Sequence, residues 1–146
     1  GNFKNTIIID DYGHHPVEIN SALAAARLLA PKNKIITIFQ PHRYSRLRDL
    51  FDEFCRSFND ADHVLLLDVY AAGEIPLKNY ESNYLENGLT NYGHKNVLYI
   101  KDQSLLAKKL IKIIQPNDLI ICLGAGSITK IANSLEEELN NEDKYV

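Results

Sequence analysis

The chain is 146 residues long, with 45% hydrophobic and 24% charged residues and a formal net charge of −3. That size and balance fit one globular domain, and the slight acidity gives no bulk attraction to nucleic acid, so any anionic ligand must be held by local groups. No apolar run approaches the ~20 residues needed to span a bilayer and no signal peptide is evident, so a cytoplasmic protein with neither a membrane nor a nucleic-acid partner is expected.

Strand and helix patterns alternate along the chain. Phe3 to Ile9 reads as a first strand, and Asp10-Asp11-Tyr12-Gly13-His14-His15-Pro16 follows as a strand-to-helix turn dense in ionisable groups. Such a density is costly to hold in a core, which places it at a surface cleft. Pro16 can open a helix, because its missing N–H costs nothing in the first turn. Ile19, Leu23 and Ala26 give that helix an apolar stripe, and Pro31 closes it. Lys34 to Phe39 is a second strand, Gln40 to Arg46 a polar loop, and Leu47, Leu50, Phe51, Phe54 and Phe58 mark one face of a second helix. His63 to Val69, almost wholly apolar, predicts a strand buried on both faces. Between Tyr70 and Tyr92 the pattern is interrupted by Gly73, Pro76 and Gly88, leaving a short helix near Ser82 to Glu86. Asn96 to Ile100 is a fourth strand, Leu106, Leu110, Ile113 and Ile114 a third helical stripe, and Asp118 to Leu123 a fifth strand. A last helix carries Ile128, Ile131, Leu135 and Leu139, with Glu136 to Glu138 as a solvated face and fraying expected from Asn140. Cys55 and Cys122 have neither metal nor redox spacing and read as buried free thiols.

This alternation predicts an α/β fold: a Rossmann-like, mostly parallel sheet with helices on both faces, in a single domain spanning 1–146. It puts four polar stretches on the carboxyl-end rim, where open α/β sheets bind ligands. They are Asp10 to His15, Gln40 to Arg46, Asp68 to Glu74 and Gly124 to Ser127. Arg43 and Arg46, three residues apart at a helix start, would point the same way, and two guanidinium forks side by side suit a carboxylate or phosphate. The alternative for the pair is a structural one, locked in salt bridges to Asp49, Asp52 or Glu53. Asp10, Asp11, His14, His15 and His42 carry metal-ligand chemistry. Adjacent histidines rarely reach one ion together and the spacing matches no helical zinc motif, so no metal is expected. One of the two histidines is expected to cap the helix instead. Gly124-Ala125-Gly126-Ser127-Ile128-Thr129 is a truncated dinucleotide fingerprint with Thr129 at the third glycine. It reads as a weak nicotinamide site, and either as a tight turn offering backbone N–H groups at a helix N-terminus or as a turn without a ligand.

Taken together, Asp10 to Pro16, Phe39 to Arg46, Asp68 to Glu74 and Leu123 to Ile128 resemble, in order and at matching intervals, one family, the Mur ligases. The resemblance covers nearly the whole chain, is least distinct over Tyr80 to Asn96, and is to the carboxy-terminal domain alone. It implies two missing parts, an amino-terminal domain that binds the UDP-sugar and a central domain with the ATP phosphate loop; no G-x-x-x-x-G-K-[ST] occurs here. The full-length reaction it implies joins L-alanine to UDP-N-acetylmuramate with ATP, through an acyl phosphate on the sugar's lactyl carboxylate, in peptidoglycan precursor synthesis. Mg2+ would be held mainly by the central domain.

In that scheme the present domain recognises the amino acid and closes over the nucleotide, and alone it is expected to be inactive. The resemblance puts Arg43 and Arg46 at the amino-acid and acyl-phosphate end, with Tyr12 and His14 lining the same pocket. His14 would act either as a base for the ammonium or as an orienting group, and Asp11 would bind the ribose or adenine of ATP. Asp10, His15 and Gly124 to Ser127 are secondary candidates. Two other classes remain: a stand-alone nucleotide-dependent oxidoreductase and a non-catalytic anion-binding module.

Overall fold

The computed structural model describes residues 2–144. Its elements are β1 (Asn2–Phe3), β2 (Thr6–Asp11), α1 (Pro16–Leu29), β3 (Ile35–Phe39), α2 (Tyr44–Asp49), α3 (Phe51–Cys55), β4 (His63–Leu66), α4 (Ser82–Asn91), β5 (Val97–Tyr99), α5 (Leu106–Ile111), β6 (Leu119–Leu123) and α6 (Ile128–Asp143). A 3-10 turn at Gln103–Leu105 leads into α5. The strands form one sheet in the order β1-β2-β6-β3-β4-β5. All neighbours from β2 to β5 are parallel, and β1 is an antiparallel edge strand. The expected α/β, Rossmann-like class is the one observed.

The last strand, β6, lies between β2 and β3, so the chain leaving β2 must cross over β6 through α1 to reach β3. Such a reversal of strand order opens a crevice at the strands' carboxyl ends. The four polar stretches follow β2, β6, β3 and β4, which are consecutive in the sheet.

Two apolar layers hold the sheet. On one face Ile19, Leu23 and Ala26 of α1 pack with Leu47, Phe54, Phe58, Leu85 and Leu89 against Ile35, Phe39, Leu66 and Leu123. On the other, Leu106 and Leu110 of α5 and Ile128, Leu135 and Leu139 of α6 cover Ile8, Ile36, Ile38 and Ile120. A central parallel strand buried on both faces must be apolar throughout, and all five residues of β3 are buried. Cys55 and Cys122 are both buried and free, as expected, and burial pushes their thiols up to about 11 and about 12. Among the described residues no helix is long and apolar enough to cross a membrane.

β4 stops at Leu66 rather than Val69 and α5 at Ile111 rather than Ile114, and the structure departs from the sequence pattern in four further places. The expected first strand is a hairpin: Lys4 (φ 51°) and Asn5 (φ 59°) form a two-residue turn, with Phe3 paired to Thr6. Two successive positive φ values match the twist of paired strands, and the turn carries β2 forward to Asp11. The second helix is two, because Leu50 leaves helical geometry (φ −119°, ψ 24°) with no proline or glycine to mark the break. The short helix after Ser82 runs on to Asn91, through Gly88. α6 continues past Asn140 to Asp143, and the rest of the expected fraying falls on Tyr145 and Val146, outside the described residues.

Candidate functional site

The turn after β2 is shaped by its own side chains. Asp11 accepts the Gly13 N–H through Oδ1 at 2.8 Å, an Asx turn that reverses the chain tightly enough to start α1 five residues later. His15 is the N-cap of α1, and the Glu18 carboxylate reaches back to the backbone N–H groups of His15 (3.1 Å) and His14 (3.4 Å). Those two bonds hold Glu18 below the usual carboxylate range. One histidine thus serves the helix start, and the other is left to face the rim.

His14 places Nδ1 3.0 Å from the Tyr12 carbonyl oxygen and 3.8 Å from Glu18 Oε1. Both are acceptors, so in the neutral ring the proton sits on Nδ1 and Nε2 keeps its lone pair. His42 is the reverse case. Arg46 Nη1 donates to its Nδ1 at 3.1 Å, which leaves the ring proton on Nε2. Burial first, then the charges of Arg46, His14 and Arg43, push His42 below the ordinary imidazole value. The rings form a continuous row: Tyr12 edge-on to His14 (5.7 Å), His14 tilted against His42 (5.4 Å), and His42 stacked on Tyr70 (5.6 Å). Tyr12 itself is 69% exposed.

Beside this row, Arg43 and Arg46 line one cleft of about 390 Å³ with His15, Ser45, Asp49 and Leu50. Arg43 is exposed and Arg46 half-buried. Among the described residues neither makes an ion pair: Asp49 is held by Arg48 at 2.8 Å, and Asp52 and Glu53 bridge to neither arginine. The structural alternative for the pair is therefore not what the fold builds.

Other candidates separate from this group. Asp10 follows the strand alternation to the opposite face of the sheet from Asp11, where it lines a different cavity with Ala132, Asn133 and Glu136 of α6. Among the described residues no three His, Cys, Asp or Glu side chains converge as a metal site would need. The Gly124 to Ser127 turn has part of its helix N-terminus already engaged. The Ile128 N–H donates to Gln40 Oε1 (3.1 Å), Gln40 Nε2 donates to Ser127 Oγ (2.9 Å), and the Tyr70 ring packs so closely over Gly126 that a Cβ there would lie 2.4 Å from Tyr70 Cγ. Gln40 and Tyr70 thus crowd this turn, which counts against the dinucleotide reading. Sequence reasoning did not single out Gln40, Tyr70 or Glu74, and considered His42 only as a metal ligand. The one signal for Gln40 was a polar amide next to a fully apolar strand, which requires buried partners.

The domain is a doubly wound α/β domain that gathers two guanidiniums, two imidazoles and a carboxylate at its strand-order switch, the edge where open α/β sheets bind ligands. The chain belongs to the family described as Mur ligase, glutamate ligase domain, whose model matches residues 1–126. The UDP-N-acetylmuramate–L-alanine ligase of Rhodospirillum centenum is 50% identical over 140 residues, covering 96% of this chain and 29% of that protein. The corresponding ligase of Azorhizobium caulinodans is 50% identical over 139 residues, covering 95% of this chain and 30% of that protein. The solved UDP-N-acetylmuramate–alanine ligase of Thermotoga maritima superposes with a TM-score of 0.70 at 26% identity, over 92% of this chain and 27% of that one. The chain spans under a third of the length of these relatives.

Proposed function

We propose that this chain is the carboxy-terminal, amino-acid-binding domain of a cytoplasmic, ATP-dependent ligase that joins L-alanine to UDP-N-acetylmuramate in peptidoglycan precursor synthesis. The observation that carries the proposal is the pair Arg43 and Arg46 on one cleft, without an ion pair among the described residues, near a histidine whose Nδ1 is engaged by a backbone carbonyl. The relatives named above support the choice of substrates.

In this reading ATP supplies the phosphoryl group that activates the sugar's lactyl carboxylate as an acyl phosphate. Arg43 and Arg46 hold negative charge on the L-alanine carboxylate or on that acyl phosphate, through charge-assisted hydrogen bonds. Tyr12 and His14 line the pocket, and His14 Nε2 takes a proton from the ammonium so that the amine can attack, or orients it. The second oxygen of Asp11, which makes no hydrogen bond among the described residues, is suited to a ribose hydroxyl or the adenine amino group of ATP. Among the described residues no three His, Cys, Asp or Glu side chains converge, so a Mg2+ ion would be held mainly by the remaining domains and the phosphates of ATP, where it would stabilise the phosphoryl charge. The remaining domains of the intact protein supply the UDP-sugar site and the phosphate loop, so this chain alone hydrolyses no ATP.

The test is steady-state kinetics of the intact enzyme with the L-alanine concentration varied. Arg43→Ala and Arg46→Ala should each lower kcat/KM for L-alanine about ten- to hundredfold, the equivalent of a charge-assisted hydrogen bond of ~1.5–3 kcal/mol. Lysine should restore part of this, keeping the charge without the planar fork. Arg43→Ala should shift stability by less than about 1 kcal/mol, as exposed charges do. Normal kcat/KM in variants with a greatly lowered unfolding midpoint would overturn the binding role.

A further inference from the structure

Arg43 sits at the N-cap of α2 with φ 71° and ψ 133°, a backbone region that costs free energy for any residue with a Cβ. Its side chain makes no cap hydrogen bond to the helix. The first-turn N–H groups of a helix have no partners within it, and here that of Ser45 is satisfied from another loop. Glu74 accepts the Ser45 N–H through Oε1 at 3.1 Å and the Ser45 hydroxyl through Oε2.

The loop that delivers Glu74 is anchored on both sides. The Tyr70 N–H donates to the Pro41 carbonyl and the Arg43 N–H to the Tyr70 carbonyl, each at 2.8 Å. The Glu74 N–H then closes a turn on the Ala71 carbonyl at 3.0 Å, with positive φ at both Ala72 (51°) and Gly73 (88°). Two non-glycine residues in costly conformations, Arg43 and Ala72, therefore flank one carboxylate-to-helix link. The Arg43 N–H bond to Tyr70 holds the residue's amino side, and the Glu74 link holds the helix start that follows it; losing that link frees Arg43 to relax toward ordinary backbone angles, which would move its side chain from its place in the cleft. Arg46 has its own anchor in His42 and would stay.

We propose that Glu74 is the positioning residue for Arg43: by capping α2 from the neighbouring loop it holds Arg43 in its strained backbone and so fixes the geometry of the arginine pair. This rests on the ligand assignment proposed above. It explains why the Asp68 to Glu74 stretch shares the rim although Glu74 itself lies outside the cleft that Arg43 and Arg46 line.

The experiment is a double-mutant cycle in the intact enzyme, read as KM for L-alanine and for ATP. Glu74→Ala should raise KM for L-alanine about tenfold, the loss of one guanidinium contact, with KM for ATP unchanged. Glu74→Gln, which keeps one acceptor for Ser45 but loses the second carboxylate oxygen, should raise KM for L-alanine by less than Glu74→Ala but measurably, and remains testable if Glu74→Ala fails to fold. Glu74→Ala combined with Arg43→Ala should be no worse than Arg43→Ala alone, because both remove the same contact. Additive effects, or an unchanged KM for L-alanine in both Glu74 variants, would overturn the positioning role while Arg43→Ala still raises that constant. If Arg43→Ala leaves KM for L-alanine unchanged, the ligand assignment fails and this inference falls with it.

Discussion

The carboxylate of Asp11 divides its work between two oxygens. One closes the turn onto the Gly13 N–H, and the other is the proposed contact to the nucleotide. A simple deletion confounds the two, so the informative pair is Asp11→Ala and Asp11→Asn in the intact enzyme. Asparagine keeps a carbonyl oxygen for Gly13 but loses the charge. Both variants should raise KM for ATP more than KM for L-alanine, with the alanine variant alone also lowering the unfolding midpoint. Unchanged KM for ATP in both would reject the nucleotide role. The same division applies to the histidines: His14 and His42 lie 5.4 Å apart, yet one carries its ring proton on Nδ1 and the other on Nε2, because one Nδ1 faces a carbonyl and the other a guanidinium. The residue types were legible in the sequence. Which nitrogen carries the proton depends on neighbours that only folding supplies.

At the level of elements, glycines read as breaks in the sequence are often places of close approach. Gly88 lies inside α4, where a Cβ would come within 2.7 Å of both Cys55 Sγ and Phe51 Cζ. Alanine there gains about 1 kcal/mol of helix propensity, but overpacking a core costs about 1–3 kcal/mol. Packing should win, so Gly88→Ala is expected to lower stability by about 1 kcal/mol, a fall of ~2–4 °C in Tm for a chain of this size. A raised Tm would show that α3 and α4 can separate at no cost. The hairpin at Lys4 and Asn5 escaped the sequence reading for a related reason: an apolar run continued past it, and Lys-Asn is a weak signal beside the usual Asn-Gly. α1 was legible to within a residue of both its ends, because Pro16, Pro31 and the Ile19, Leu23, Ala26 stripe all point to one answer.

For the whole molecule, pH is the variable that reports burial. His42 and His63 are both held below the ordinary imidazole value, His42 by burial and Arg46 and His63 by burial and Lys34. Asp62 and Asp118 oppose the shift at His63, His94 adds to it, and Glu74 opposes it at His42. The unfolded chain takes up these protons near pH 6.5, before the folded one does. Their contribution to stability is therefore complete above about pH 6.5 and is lost as pH falls below it, by at most about 1.4 kcal/mol per pH unit for each group. Glu18 and Glu74, held low by backbone and hydroxyl donors, lose theirs only below about pH 4.5. Urea unfolding from pH 7 to 5 should show falling stability, with a shallower slope in His63→Gln. An unchanged slope in that variant would mean that His63 titrates alike in both states.

The sequence by itself determined the alternation of strands and helices, the two-faced burial of the strand that starts at His63, and the gathering of four polar stretches on one rim. These follow from periodicity and from the rule that parallel strands share a carboxyl end. It also determined the residue types at the site, since paired arginines and histidines beside a turn carry their chemistry with them. What only the tertiary structure decided was which of them meet. The position of β6 between β2 and β3 brings the Gly124 to Ser127 turn against Gln40 and Tyr70, and so engages part of a helix terminus that looked open. The two-residue periodicity of β2 sends Asp10 and Asp11 to opposite faces once the strand extends to them. The cap on α2 comes from Glu74, 29 residues away from Ser45. Hydrogen-bond partners so far apart in the chain leave no local pattern, because their meeting is set by strand order rather than by spacing.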